Sequence, residues 1–600
     1  MKRKDVNINE TWDISQIFST EEKYNESVEK YKDLVNLFEK NYKGNIKNID
    51  DINNSIDDLN KIYELISLLD GYASLPVEAD IFDEEAKNRR SELYAVLSPC
   101  AAKLSFYNNE LLSLDENLLK EAAERKENSS YLNNLLRSKK YALDTNLEEV
   151  LSKLSEPLEL PYNIYNVTKL MDMEFEDFEA NGENHKLSYN LYEGAYEVID
   201  DKEIRRNSFK KFSEVLRKYQ HTTAAAYNGQ VQKEKIISQI RGYDSVIDYL
   251  LMEQNVSRDL YNRQIDVIMK ELAPHMRKYA NILKRVHKLD TIKYSDLKME
   301  VDPEFSPKLS FEEAKEYILD GLSILGDDYI KIMKTAFDNR WIDYANNEEK
   351  STGAFCSSPY GVNSFILMTF NNVMSDVMTL AHELGHAGHF QLAHENQTVL
   401  NSDVSMYFVE SPSTCNELIL ENYLLNKAEE KNDLRMKRWV LSQIISKTYY
   451  HNFVTHLLEA NYQREVYKLV DEGKQVYANT LNDIYRKTLI DFLGNEVDLE
   501  EGSELTWMRQ PHYYMGLYPY TYSASLTIGT QVALKIRKEG KEAANNWKRV
   551  LKMGGTKSPE ELAKEAGVDV STDKPLKDTI AYIGSIIDEI EKISIELGEM

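Results

Sequence analysis

Residues 377–389 read VMTLAHELGHAGH, and within them His382, Glu383 and His386 form the pattern HExxH. Histidines four apart lie one above the other on a helix face, about 5 to 6 Å apart at Cβ, so both imidazoles can converge on one Zn²⁺. Glu383 sits one residue off that face, beside the metal and not directed at it. A carboxylate there can take a proton from water as a general base. Leu380 and Leu384 form their own i, i+4 pair and can anchor the helix while the histidines face a cleft. The pattern is short enough to occur by chance on a helix surface, so its surroundings decide its weight.

Catalytic zinc usually keeps three protein ligands and an open position. A third histidine six residues after the second, preceded by a helix-breaking glycine, is one solution. Here those positions hold Leu392 and His389, and His394 has the wrong spacing. A glutamate from a second helix is the other solution. The segment YFVESPSTCNE (407–417) supplies Glu410, with Ser411 and Pro412 as an N-cap and first-turn pair ahead of an apolar run. Glu395 and Glu417 stand in reserve as ligands. Glu417 or Asp376 could instead orient a ligand histidine, and His389 takes a packing or supporting role.

Further along, WMRQPHYYMGLYPYTYSAS (507–525) carries one histidine and five tyrosines within residues 512–522. Such hydroxyl and imidazole donors can stabilise an oxyanion that develops when water attacks a carbonyl. Tyrosine is abundant here (39 in the chain), so the cluster could equally be amphipathic packing.

The elements that must carry these residues are mainly helical. Proline is scarce (13) and glycine modest (23), and apolar stripes with charged faces run over 21–39, 51–70, 80–106, 261–286 and 434–471. Two regions break the pattern. KMEVDPEFSP (298–307) reads as a loop because Pro303 and Pro307 disfavour helix before them. STGAFCSSPYGVNSFILMTF (351–370) reads as short strands just ahead of the HExxH helix. An exposed strand edge there, led by Gly353, Ala354 and Phe355, could pair with an extended peptide of any sequence. A small structural sheet capping the core fits the pattern as well.

Six hundred residues exceed what one core supports, so lobes with a cleft between them are expected. The formal charge of −27 repels phosphate backbones and anionic lipid and argues against nucleic acid and membrane partners. No apolar stretch approaches a membrane span, and the basic N-terminal residues precede no apolar signal region. Cys100, Cys356 and Cys415 are odd in number and widely spaced, which fits a reducing cytoplasm.

HELGHAGH, the ESPSTxNE segment and the early TWDISQIF (11–18) resemble the M3 family of zinc metallopeptidases, specifically its oligoendopeptidase F branch, over nearly the whole length. The resemblance implies one Zn²⁺ per chain, ligated by His382, His386 and Glu410, with Glu383 as base. It matches His512 to the family's downstream His/Tyr segment, and Tyr522 better than Tyr518 or Tyr520. Tyr518 shares a face with Tyr522 if the helix runs through Pro519, and Tyr520 would then point elsewhere. The resemblance also implies a mainly α, two-lobed helical shell around a deep substrate channel, to which the strands read over 351–370 add a small β-sheet beside the active site. It further implies an N-terminal helical region over 1–195, a catalytic domain over 196–600, cytoplasmic location and cleavage of short peptides at internal bonds. Two rival functions fit the same residues. An ACE-like or M32-type zinc exopeptidase uses the same ligand logic, and a non-catalytic helical binding protein could have kept the scaffold.

Overall fold

The structure is a computed structural model and describes residues 2–600. It is mainly α, with 72% of the chain helical. Its helices begin where capping chemistry allows. Helix α1 (Glu21–Tyr42) is capped by Thr20, whose hydroxyl accepts from Lys23 N, and carries Glu21 and Glu22 in the first turn, where they favour the helix dipole. Its buried stripe is Tyr24, Tyr31, Val35, Phe38 and Tyr42. Helix α2 (Ile49–Ala79) extends beyond the expected 51–70, and α3 (Glu84–Leu104) starts four residues later than expected because Asp83 caps it, accepting from Ala86 N. These three helices surround an N-terminal core that includes Trp12, Tyr31, Leu69, Leu93 and Leu132.

A larger core gathers the remainder. A hairpin, β1 (Phe178–Ala180) and β2 (Glu183–His185), turns at Asn181 and Gly182, both at positive φ, and precedes the long helix α4 (Lys202–Ile240). The stripe expected over 261–286 divides into Arg258–Glu271 and Ala273–Val286, because Pro274 starts a new helix. The site is carried by α5 (Met374–His394), α6 (Ser411–Glu430), α7 (His456–Asp471) and α8 (Pro519–Glu539). The stripe over 434–471 is not one α-helix. It passes from Leu434–Gln443 through π-helical turns at Ile444–Thr455 before α7.

The segment 351–370 yields two short strands, β4 (Phe355–Ser357) and β5 (Phe365–Leu367), joined by β3 (Ile342–Asp343) in the order β3-β5-β4. β3 runs parallel to β5 and β4 antiparallel to it, with Phe355 opposite Leu367. Strand side chains alternate between faces, and β5 uses this to serve both cores. Phe365 and Leu367 pack into the N-terminal core, while Ile366 packs into the larger one. Trp12 lies against Phe355 and Phe365, at centroid distances of 6.2 and 6.1 Å. Within β3, buried Asp343 pairs with Arg3 and with Lys350 at 2.8 Å and accepts from Trp12 N. The N-terminal segment is thereby pinned to the seam between the cores.

Candidate metal centre and active site

Two glycines let three helices approach closely enough to build the site. A Cβ on Gly385 would meet Ser413 Cα at 2.6 Å and the Pro412 carbonyl oxygen at 2.7 Å. α5 and α6 therefore touch backbone to backbone, one residue before His386 and two after Glu410. A Cβ on Gly529 would collide with Thr414 Oγ1 and come within 2.9 Å of the Ser411 carbonyl oxygen, which brings α8 against the other side of α6.

Glu410 itself, not Ser411, caps α6, and Pro412 lies within the first turn. Its carbonyl oxygen accepts from Thr414 N, Thr414 Oγ1 and Ser413 Oγ, and Ser413 Oγ also donates to its carboxylate at 2.9 Å. The hydroxyls of this segment thus fix the carboxylate as well as the helix start. Both histidines of α5 turn Nε2 toward the same carboxylate oxygen, His382 at 3.2 Å and His386 at 3.1 Å, with ring centroids 5.1 Å apart. In a tetrahedral zinc site with bonds of about 2.0 to 2.1 Å, ligand atoms stand roughly 3.3 Å apart. The three donor atoms therefore fit a zinc ion. Their side chains keep 25, 12 and 21% exposure for His382, His386 and Glu410, so the centre is accessible from outside.

Glu417 lies 3.5 Å from His382 Nδ1 and can hold the tautomer that leaves Nε2 free for metal. Asp376 accepts from Asn371 N at the start of α5 instead, a helix-terminal contact. His389 is fully buried with neither ring nitrogen hydrogen-bonded among the described residues. It packs on Phe390 and Phe408, and burial pushes its pKa down to about 3.

Glu383 is buried on the side of α5 that faces β4. Burial raises its pKa, against the pull of His382 and His386, and its charge in turn helps raise that of the Cys356 thiol. β4 is an outer strand of its sheet, and Gly353 and Ala354 lead into it, with Gly353 at φ +90°. Phe355 points its ring at Trp12, so only its backbone is offered at that edge.

His512 enters on a 3₁₀ turn (Pro511–Tyr514) and α8 supplies the tyrosines. The helix starts at Pro519 and does not run through it, yet Tyr518 as N-cap keeps helical φ and ψ. Tyr518 and Tyr522 therefore still share a face, with centroids 5.1 Å apart and His512 at 5.1 and 5.7 Å from them. Burial raises both phenol pKa values, and the charge of the Glu410 carboxylate contributes. A raised phenol pKa keeps each hydroxyl a donor. Tyr520 is turned to the opposite side, where its hydroxyl donates to Gln254 and its ring meets Tyr261. Sequence reasoning missed His456 and Glu459, which lie against His512, and His451, which lies against His456. They lie in a stretch read only as a helix stripe, and the spacing that pairs His451 with His456 belongs to the π-helical turns.

A helical scaffold with two histidines and a glutamate converging on one point, and a buried glutamate beside them, defines a metallopeptidase centre. Peptidase family M3 matches residues 195–582 and the Oligopeptidase F description matches residues 110–175. The chain belongs to peptidase family M3. It is 26% identical to Oligopeptidase PepF of Bacillus subtilis over 606 residues, spanning 100% of this chain and 89% of that protein. It is also 26% identical to an Oligoendopeptidase F homolog of Borreliella burgdorferi over 607 residues, covering 99% of this chain and 100% of that one. The fold matches the crystal structure of a putative peptidase from Chlamydophila abortus with a TM-score of 0.86 at 22% identity, covering 99% of each chain. It also matches oligoendopeptidase-F from Enterococcus faecium at 0.73 and 21%, covering 96% of this chain and 99% of that one.

Proposed function

We propose that this metallopeptidase hydrolyses internal bonds of oligopeptides with one Zn²⁺ per chain, held by His382, His386 and Glu410. The observation that carries the reading is the convergence of both Nε2 atoms on one Glu410 oxygen, with Glu383 buried alongside. Zn²⁺ in that position supplies Lewis acidity that polarises a peptide carbonyl and lowers the pKa of water. Glu383 takes the proton from the attacking water and passes it to the leaving amine, a role suited to a carboxyl whose pKa burial has raised. Tyr522 and His512 donate to the oxyanion, with Tyr518 assisting. The edge at Gly353, Ala354 and Phe355 holds the substrate backbone by strand pairing, which is indifferent to sequence. The names of the relatives support oligopeptides as substrates.

Residues 1–195 form the N-terminal part and 196–600 the catalytic part, a division supported by the matched segments 110–175 and 195–582, the second of which starts within one residue of it. Among the described residues no helix is long and apolar enough to cross a membrane, and Cys100, Cys356 and Cys415 are unpaired. Unpaired cysteines support a cytoplasmic location.

The test combines zinc content with a quenched peptide blocked at both ends. The expected outcome is one zinc and internal cleavage, while a native folded protein stays intact. Glu383→Gln keeps zinc and loses at least about a hundredfold in kcat. An enzyme that trims only free termini, or a Glu383→Gln variant that loses its zinc, would refute these assignments.

A further inference from the structure

Beside Tyr522 and His512 lies a second convergence of metal-ligating atoms. The five-residue step of the π-helical turns sets His451 beside His456, Nε2 to Nε2 at 3.0 Å. Three residues on, Glu459 Oε2 stands 2.7 Å from His456 Nδ1. His512 arrives from the turn before α8, its Nδ1 4.0 Å from the same oxygen. One ligand atom from each of His456, Glu459 and His512 lies within 4.8 Å of the other two. Glu459 is fully buried and its Oε1 has no hydrogen-bond partner, and His512 Nδ1 is likewise buried and unpartnered. Such unused capacity in a buried cluster calls for a ligand.

We propose that His456 Nδ1, the Glu459 carboxylate and His512 Nδ1 form a second, weaker site for a divalent transition cation, Zn²⁺ above all, separate from His382, His386 and Glu410. Two imidazole nitrogens and a carboxylate are the donor types zinc prefers. The separations of 2.7 Å for His456–Glu459 and 4.0 Å for Glu459–His512 bracket the roughly 3.3 Å of a zinc ligand pair, and the three donor atoms all lie within 4.8 Å of one another.

The protons balance within the chain. Starting from two neutral imidazoles, the contacts are met with His456 Nδ1–H donating to Glu459 and His451 Nε2–H donating to His456 Nε2. On loading, His456 gives up the Nδ1 proton and carries one on Nε2. It then donates to His451, which moves its own proton to Nδ1. No net proton is gained or lost by the pair. His451 becomes the outer partner that a metal-bound histidine ordinarily has. His451 stands Nε2 to Nε2 against His456, which places it to accept. His512 is shared, so a cation here is coupled to the residue that faces the substrate.

Equilibrium dialysis of the zinc-loaded enzyme against rising free Zn²⁺, with metal counted by atomic emission, tests this. Wild type takes one tight equivalent and then a second. His456→Phe, which keeps a ring against Tyr522 (now stacked at 4.0 Å), and Glu459→Gln retain the first and bind the second at least about tenfold more weakly. Melting temperature and the retained tight equivalent report whether each variant is folded, and His456→Phe decides if Glu459→Gln is not. His382→Ala removes the tight centre and still takes up one equivalent with the second affinity, which separates this proposal from the catalytic reading. A wild type that stays at one equivalent at the highest zinc it tolerates overturns the proposal. So do variants that bind the second equivalent as wild type does, or a His382→Ala variant that takes up none.

Discussion

Tyr520 and Tyr522 are two positions apart on α8 and face opposite sides of it, one toward Gln254 and the other toward His512. Tyr522→Phe deletes only the hydroxyl, so zinc content and melting temperature should stay as in wild type. Loss of an oxyanion donor should lower kcat by at least about tenfold and as much as 10³, with KM moving much less. Tyr520→Phe should leave kcat nearly unchanged, and steady-state kinetics on one peptide separates the two. The approach of His382 to His386 was legible in the sequence because helix geometry converts a spacing of four directly into proximity. Glu410 needed the resemblance as well as the spacing, since its approach to α5 depends on glycine contacts that sequence does not display. Glu459 and His456 were invisible, because nothing in the residue types announces a π-helical step.

The elements around the centre are held by contact with no slack. Gly385→Ala places a methyl group 2.6 Å from Ser413 Cα, where backbone and not a flexible side chain must yield. Moving α6 away should cost about 1 to 3 kcal/mol and draw Glu410 off the histidines, read as a lower melting temperature together with weaker zinc retention against a chelator. Behind His512, Arg509 anchors the turn by donating to Glu197 at 2.7 Å and Glu193 at 2.9 Å, and Lys298 also reaches Glu197. Burial would raise the Glu197 pKa, but Arg509 and Lys298 outweigh it and lower it to about 2. A depressed carboxyl stabilises the fold above its unfolded pKa and loses that contribution as pH falls toward the folded one. Glu197 therefore contributes to acid unfolding between about pH 4.5 and 2. Glu197→Gln should cost about 3 to 5 kcal/mol near neutral pH and flatten stability across that acid window, measured by urea unfolding at several pH values. Helix positions were legible from apolar stripes, while the breaks at Pro274 and at Ile444 were not. A stripe continues across a change of helix type without altering its period enough to notice.

At the scale of the whole molecule, length predicted more than one core, but no residue pattern said where the cores would join. The segment 351–370 showed strands just ahead of α5, which was as far as alternation could go. That Phe365 and Leu367 serve one core and Ile366 the other depends on what lies above and below the sheet, and those partners are distant in sequence. The shared strand also bears on cooperativity. Unfolding the N-terminal helices would strip the cover from Phe365 and Leu367, while losing the larger core would remove the support under Ile366, and the same three backbone units hold the sheet in either case. Neither half can melt and leave the other with an intact boundary. Differential scanning calorimetry should accordingly record one endotherm with matching calorimetric and van't Hoff enthalpies, and two resolved endotherms would mean that the strand does not couple them. A chain with two hydrophobic interiors would then behave, under heat, as a single foldon.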